Sequence, residues 1–153
     1  MTFTGGVMMI RDTARKGLAA HLAVAQRLIE LGFEVLEPVG NHLRYDLAYY
    51  VPAGSGEKAQ LVRIQCKSSW LSKDKTCLQF NAFNLGGEGK RQKRGYKGDA
   101  EYFGIYSSDT RKVYMIHVDE CPIGETSLRL ESTGKPGKNQ YSAGVRWVKE
   151  YEV

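Results

Sequence analysis

The residues best suited to chemistry are gathered between Arg44 and Ser68. Arg44-Tyr45-Asp46-Leu47-Ala48-Tyr49-Tyr50-Val51-Pro52 is followed, after a polar Gly- and Ser-containing stretch, by Leu61-Val62-Arg63-Ile64-Gln65-Cys66-Lys67-Ser68. Both halves are rich in β-branched and aromatic residues and alternate apolar with polar positions, the pattern of strands. Ala53 to Lys58 between them has the composition of a hairpin loop. Side chains on a strand alternate faces, so Arg63, Gln65 and Lys67 share one face and Val62, Ile64 and Cys66 the other. Asp46 stands near the start of the partner strand. One hairpin thus brings a carboxylate, a carboxamide, an ammonium and a guanidinium to a common region, a grouping suited to binding ions and moving protons. The same residues admit a structural reading: Asp46 capping a turn or pairing with Arg44 or Arg63, and Lys67 solvated at a strand end.

The Asp46…Gln65-Cys66-Lys67 arrangement resembles the PD-(D/E)XK nuclease superfamily, in which an Asp on one strand is followed by acid-X-Lys on the next. Gln65 stands where the acid usually is. The similarity is strongest to the branch of group I intron-encoded homing endonucleases, where Arg-Tyr-Asp-Leu and Ile-Gln-Cys-Lys strands recur. It extends to a Gly-initiated helix before the hairpin, to Tyr96-Lys97-Gly98-Asp99 with Tyr102-Phe103, to Leu128-Arg129-Leu130 and to Val145-Arg146-Trp147.

The resemblance implies an α/β fold with a mixed central β-sheet flanked by helices, the first helix packed on one face. It implies a metal-dependent DNA endonuclease. Phosphodiester hydrolysis needs charge stabilisation on a pentacoordinate phosphate and an activated water, and hard cations such as Mg²⁺ supply both through oxygen ligands. Asp46, the Gln65 amide oxygen and the Cys66 backbone carbonyl are the implied ligands of Mg²⁺, with Mn²⁺ as a substitute. Lys67 is the implied group acting on water or phosphate. Gln65 carries one negative charge fewer than the usual acid, which implies weaker metal affinity and more reliance on the DNA phosphate. Family members also carry an acid on the preceding helix, just after its first Gly. Here Leu18 follows Gly17, a departure from the pattern. Asp99 and Glu101 are candidates either to hold basic residues of the Asn84 to Asp99 loop or to replace that acid.

The 153 residues suit one domain with a real core, at 42% hydrophobic and 25% charged content. Residues 1–12 read as an N-terminal arm and 13–153 as a single nuclease-like domain. A net charge of +5 fits a nucleic-acid partner or an anionic membrane surface. No apolar run approaches the roughly 20 residues that span a bilayer, and no apolar stretch follows a basic start as in a secretory signal. The three cysteines show no CxxC pair and no zinc spacing, so they read as reduced thiols of a cytoplasmic protein, nucleoid-associated if bacterial.

Asp12 or Thr13 begins a helix that runs to about Leu31, with Leu18, Leu22, Ala25, Leu28 and Ile29 as its core stripe. Gly32 is its C-terminal stop and Phe33 closes it. Phe33–Val39, Cys77–Asn81, Glu101–Tyr106, Lys112–Val118 and Ser127–Leu130 read as strands, and Trp147 docks on the core near the end. His21 reads as a surface or packing residue of the helix and His117 as a structural histidine.

Asn84 to Asp99 reads as a long loop without structure of its own. Lys90, Arg91, Lys93, Arg94 and Lys97 suit it to neutralising phosphates, and Tyr96 to packing against sugar or base. Arg44, Arg63 and Ser68 are further DNA-contact candidates on the hairpin. Lys135, Lys138, Asn139 and Gln140 make a second candidate loop, since Asn and Gln read adenine edges. The expected partner is double-stranded DNA, with a homodimer or homotetramer as the working unit. A restriction-like or Holliday junction-resolving nuclease, or a DNA-binding module without cleavage, is the alternative.

Overall fold

The computed structural model describes residues 13–86, 92–130 and 145–153. The N-terminal arm, Lys90, Arg91, Lys135, Lys138, Asn139 and Gln140 lie outside them.

Helix α1 spans Thr13–Glu30. It ends in a Schellman motif: Gly32 adopts φ +89°, its N–H donates to the Ile29 carbonyl at 2.9 Å, and the Phe33 N–H donates to the Leu28 carbonyl at 3.0 Å. The strands that follow are β1 (Glu34–Leu36), β2 (Leu47–Val51), β3 (Gln60–Ser68), β4 (Trp70–Leu71), β5 (Cys77–Asn81), β6 (Asn84–Gly86), β7 (Gln92–Arg94), β8 (Tyr102–Ser107), β9 (Lys112–His117) and β10 (Glu125–Arg129).

The central sheet is five-stranded and mixed, in the order β1-β2-β3-β8-β9. β3 and β8 run parallel, and the other neighbouring pairs are antiparallel. A parallel pair needs a crossover. Here the intervening chain supplies β4 and β5, which join β10 in a small antiparallel sheet, and then the β6–β7 hairpin. The central sheet therefore has α1 on one face and the small sheet on the other.

Each face has its own core. Val24, Leu28, Leu47, Ile64 and Val113 fill the α1 side. Leu78, Phe80, Phe103, Ile105, Tyr114, Ile116 and Leu128 fill the other. Ile64 and Cys66 belong to the α1 side, so strand alternation turns Gln65 and Lys67 away from the helix.

The helix corrects one expectation. Leu18, Leu22 and Ile29 are 59%, 58% and 60% exposed, and the core-facing row is Ala20, Val24 and Leu28. Close approach is the physical reason. A Cβ on Gly104 of β8 would stand 2.7 Å from the Val24 side chain, so the helix rides on a strand position with no side chain and turns its smaller residues to the sheet.

Two further expectations change. Asn84 to Asp99 is not structureless, because β6 and β7 pair across it from Asn84↔Arg94 to Gly86↔Gln92. At the C-terminal end the residue buried in the core is Val148, with Trp147 half-buried beside it. His117 is structural as expected: its Nδ1 accepts the Asp119 N–H at 3.2 Å and its ring meets Tyr102 edge-on.

Candidate active site

β2 and β3 pair with Leu47 opposite Ile64, which sets Asp46 just before β2 and beside Gln65. The Asp46 N–H donates to the Ile64 carbonyl at 2.8 Å, extending the ladder by one step. Asp46 Oδ2 accepts the Cys66 N–H at 2.7 Å and the Gln65 Nε2–H at 2.5 Å. Burial pushes the Asp46 carboxyl above its ordinary pKa, against the Cys66 N–H and the charges of His21 and Lys67.

The structural alternative had Asp46 paired with Arg44 or Arg63, and both arginines are engaged elsewhere. Arg44 Nη1 lies 2.9 Å from Asp99 Oδ2, and Arg63 Nη2 lies 2.5 Å from Glu101 Oε1. Glu101 also accepts the Arg63 backbone N–H at 2.6 Å, tying β3 to the start of β8. Arg63 is thereby tied to the start of β8, with its side chain 36% exposed. Asp99 holds Arg44 and, at 3.8 Å, Arg94 of the 84–99 segment, one of its two candidate roles, whereas Glu101 holds Arg63 of β3, outside that segment. Asp46 has no ion pair among the described residues.

Lys67 is turned to the same side as Gln65. Its Nζ donates to the Phe83 carbonyl at 3.2 Å and to the Tyr96 hydroxyl at 3.3 Å. Burial lowers its pKa to about 8; Asp46 opposes that shift and the Arg44 charge adds to it. An amine with that pKa holds a small but useful neutral fraction near pH 7. The Cys66 thiol is driven the other way, well above its ordinary pKa by burial, and is an inert packing group.

Asp46 and Gln65 open onto a cleft of about 380 Å³. Asn41, His42 and Arg44 line it from the loop before β2, and Asn84 and Arg94 from the β6–β7 hairpin. His42 and Asn84 were not singled out by the sequence, which marks them as turn and loop residues and nothing more. A larger cavity of about 730 Å³ lies away from this hairpin, around Tyr114, Trp147 and Glu152. Its Lys112 and Glu152 are already paired with each other at 2.6 Å.

Other candidate DNA contacts separate by exposure. The Arg94 and Lys97 side chains are 67% and 85% exposed, with long contacts of 3.8 Å to Asp99 and 3.7 Å to Asp119. Lys93 Nζ lies over the Phe83 ring at 4.7 Å. Ser68 ends β3, half-buried. Tyr96 is 5% exposed, its ring turned into the protein, so it presents no stacking surface for a base.

α1 brings no carboxylate to the site. Leu18 is exposed, and the helix group whose charge reaches Asp46 is His21. His21 Nε2 is hydrogen-bonded to Glu37 Oε1 at 2.7 Å.

The PD-(D/E)XK endonuclease family matches residues 11–153, almost the whole sequence. The chain belongs to that family. Among solved structures, a bacterial homing endonuclease, I-Ssp6803I, superposes with a TM-score of 0.66 over 92% of this chain and 88% of its own, at 22% identity. That likeness shows a common fold. No curated protein matches the sequence.

As a PD-(D/E)XK endonuclease the protein is a nuclease, and enzymes of this family generally use divalent metal ions. The residues at the site fit such an ion. A half-buried carboxylate with no ion pair among the described residues, an amide oxygen one bond rotation away and the Cys66 carbonyl are hard oxygen donors. No group of three or more His, Cys, Asp or Glu side chains converges among the described residues, so the donor set is poor in charge. Asp46, Gln65 and the Cys66 carbonyl are the candidates to hold the ion, which would supply Lewis-acid stabilisation of the phosphate.

Proposed function

We propose that this protein is a Mg²⁺-dependent endonuclease that hydrolyses double-stranded DNA at a specific site, in the manner of a homing enzyme. The observation that carries the reading is the convergence of Asp46, Gln65 and Lys67 on one side of β3, with Asp46 and Gln65 opening onto a cleft bordered by Arg44 and Arg94. Asp46 and Gln65 bind the metal ion, with the Cys66 carbonyl beside them. Lys67, held half-buried with a lowered pKa, takes a proton from the attacking water. Arg44 and Arg94 bind the phosphate backbone, and the exposed Lys97 extends that contact. One such site cuts one strand, so a homodimer is the smallest unit that breaks a duplex symmetrically, and a homotetramer doubles it.

Nicking of supercoiled plasmid carrying the target, in Mg²⁺ or Mn²⁺, tests the reading. The parent is expected to nick or linearise the plasmid and Lys67→Ala to leave it intact. Cleavage that survives Lys67→Ala would move the active site elsewhere.

A second reading has the same fold bind DNA without cutting it. Its support is the absence of any α1 carboxylate at the site and the neutral Gln65 beside Asp46. Tight duplex or four-way-junction binding in EDTA, with no nicking in any divalent metal, is the result that would select it.

A further inference from the structure

Tyr96, a candidate DNA-contact residue, is only 5% exposed and forms part of the wall of the cleft that Asp46 and Gln65 open onto. It follows β7 and opens the turn that leads into β8, where Gly98 adopts φ +83°. Its ring meets Phe103 edge-on at 5.5 Å, which anchors it in the core beneath the site. Two cations sit on that ring. The Arg44 guanidinium carbon and Lys67 Nζ are each 4.7 Å from its centroid. Its hydroxyl lies 3.3 Å from Lys67 Nζ, and Arg44 reaches past the ring to the Gly95 carbonyl at 2.8 Å.

Arg44 and Lys67 repel one another, and each has long side-chain freedom that would scatter its charge. An aromatic face attracts both, by about 0.5–2 kcal/mol per cation depending on desolvation. A hydroxyl acceptor and the Phe83 carbonyl then fix the direction of the Lys67 N–H bonds. An aliphatic residue of similar bulk would fill the core and do neither.

We propose that Tyr96 is the positioning residue of the site, setting the Lys67 amino group and the Arg44 guanidinium on one ring so that the first, once it has released its proton, faces the water and the second the phosphate. It touches no reacting atom itself. The proposal rests on the nuclease reading for its consequence in catalysis, but the positioning is a property of the protein alone.

The test therefore has two readouts. The first needs no DNA. In protein carrying ¹³C-labelled lysine, ring current from Tyr96 shifts the Lys67 ε-methylene resonances away from those of the solvated lysines. Lys67→Met identifies the signal by its loss. Tyr96→Leu is expected to return it to the solvated position, and Tyr96→Phe to keep it shifted. A Lys67 signal unmoved by Tyr96→Leu overturns the positioning, whatever the activity.

The second readout is kcat on target DNA. Tyr96→Leu is expected to lower kcat about 100-fold, the scale of an ångström-level misplacement. Tyr96→Phe, which keeps the ring, is expected to recover most of it. Phe80→Leu, a comparable loss in the same core, lowers thermal stability and leaves kcat unchanged. If Tyr96→Leu merely matches Phe80→Leu, the residue is a packing group and the proposal fails. If the Lys67 resonance behaves as expected and the parent cuts no DNA, the nuclease reading fails and the positioning stands.

Discussion

Gln65 donates its amide N–H to Asp46 Oδ2 at 2.5 Å. The bond puts a neutral donor where a PD-(D/E)XK site usually holds a second carboxylate. It allows Asp46 to stay in a half-buried position with no ion pair among the described residues, because the Cys66 N–H and the Gln65 N–H share its charge. Metal binding through the Gln65 carbonyl requires the amide to turn over and give up this bond. Gln65→Glu should then act in opposite directions on two observables. Without metal, two carboxylates face each other and the melting temperature falls. With Mn²⁺, the added charge tightens binding by about tenfold, since ligand charge tunes affinity at oxygen sites. Titration calorimetry showing unchanged or weaker Mn²⁺ affinity would count against Gln65 as a ligand.

Arg63 and Arg94 look alike in sequence and differ in what they are free to do. Arg63 is paired with Glu101 through several short contacts, whereas Arg94 is 67% exposed, its ion pair among the described residues a long one of 3.8 Å to Asp99. Arg94→Ala is expected to weaken DNA binding in Ca²⁺ several-fold and to lower the log–log salt slope by about one unit. Arg63→Ala should leave that slope unchanged and lower thermal stability. Equal slopes for the two variants would mean Arg94 makes no phosphate contact.

The hairpin that carries Asp46, Gln65 and Lys67 was legible because strand alternation is a strict period. Once Ile64 is core, Gln65 and Lys67 are not. The helix was less so. Leu18, Leu22, Ala25 and Ile29 have as good a helical spacing as Ala20, Val24 and Leu28, and the choice between them is made by Gly104, over 70 residues away. The partners of Asp99 and Glu101 were likewise open, because they depend on β8 lying parallel to β3, a long-range pairing with no local signature. Tyr96 read as a sugar or base contact because it stands in a Gly-rich basic segment; its burial comes from Phe103, which only the folded sheet brings near.

Gly104 should be the least replaceable glycine of the sheet. A Cβ there would stand 2.7 Å from Val24 Cγ1 and 2.9 Å from Ile64 Cγ2, in the core that α1 shares with β3. Gly104→Ala forces α1 away from the sheet and is expected to cost about 1–3 kcal/mol in urea unfolding. Val24→Ala opens the same space, so the double variant should be more stable than the sum of the two single losses allows. Strict additivity would show that the helix does not rest on Gly104.

Lys67 can work in either of two charge states. Burial lowers its pKa to about 8 from an ordinary value of 10.5. Below about 8 the amine is charged in folded and unfolded chains alike, and folding bears the full cost of burying an ammonium. Between about 8 and 10.5 the unfolded chain binds the proton that the folded chain has released, so Lys67 favours folding more as pH rises through that window. Lys67→Met removes the cost and should raise the melting temperature at pH 7 more than at pH 10. Catalysis follows the same titration if the neutral amine accepts the water proton. Single-turnover cleavage should rise about tenfold per pH unit up to roughly pH 8 and then level off. Lys67→Arg, charged throughout, should be slow and show no inflection near 8. A parent rate that instead falls above pH 8 would assign the charged ammonium to the phosphate and leave the proton from water to another group.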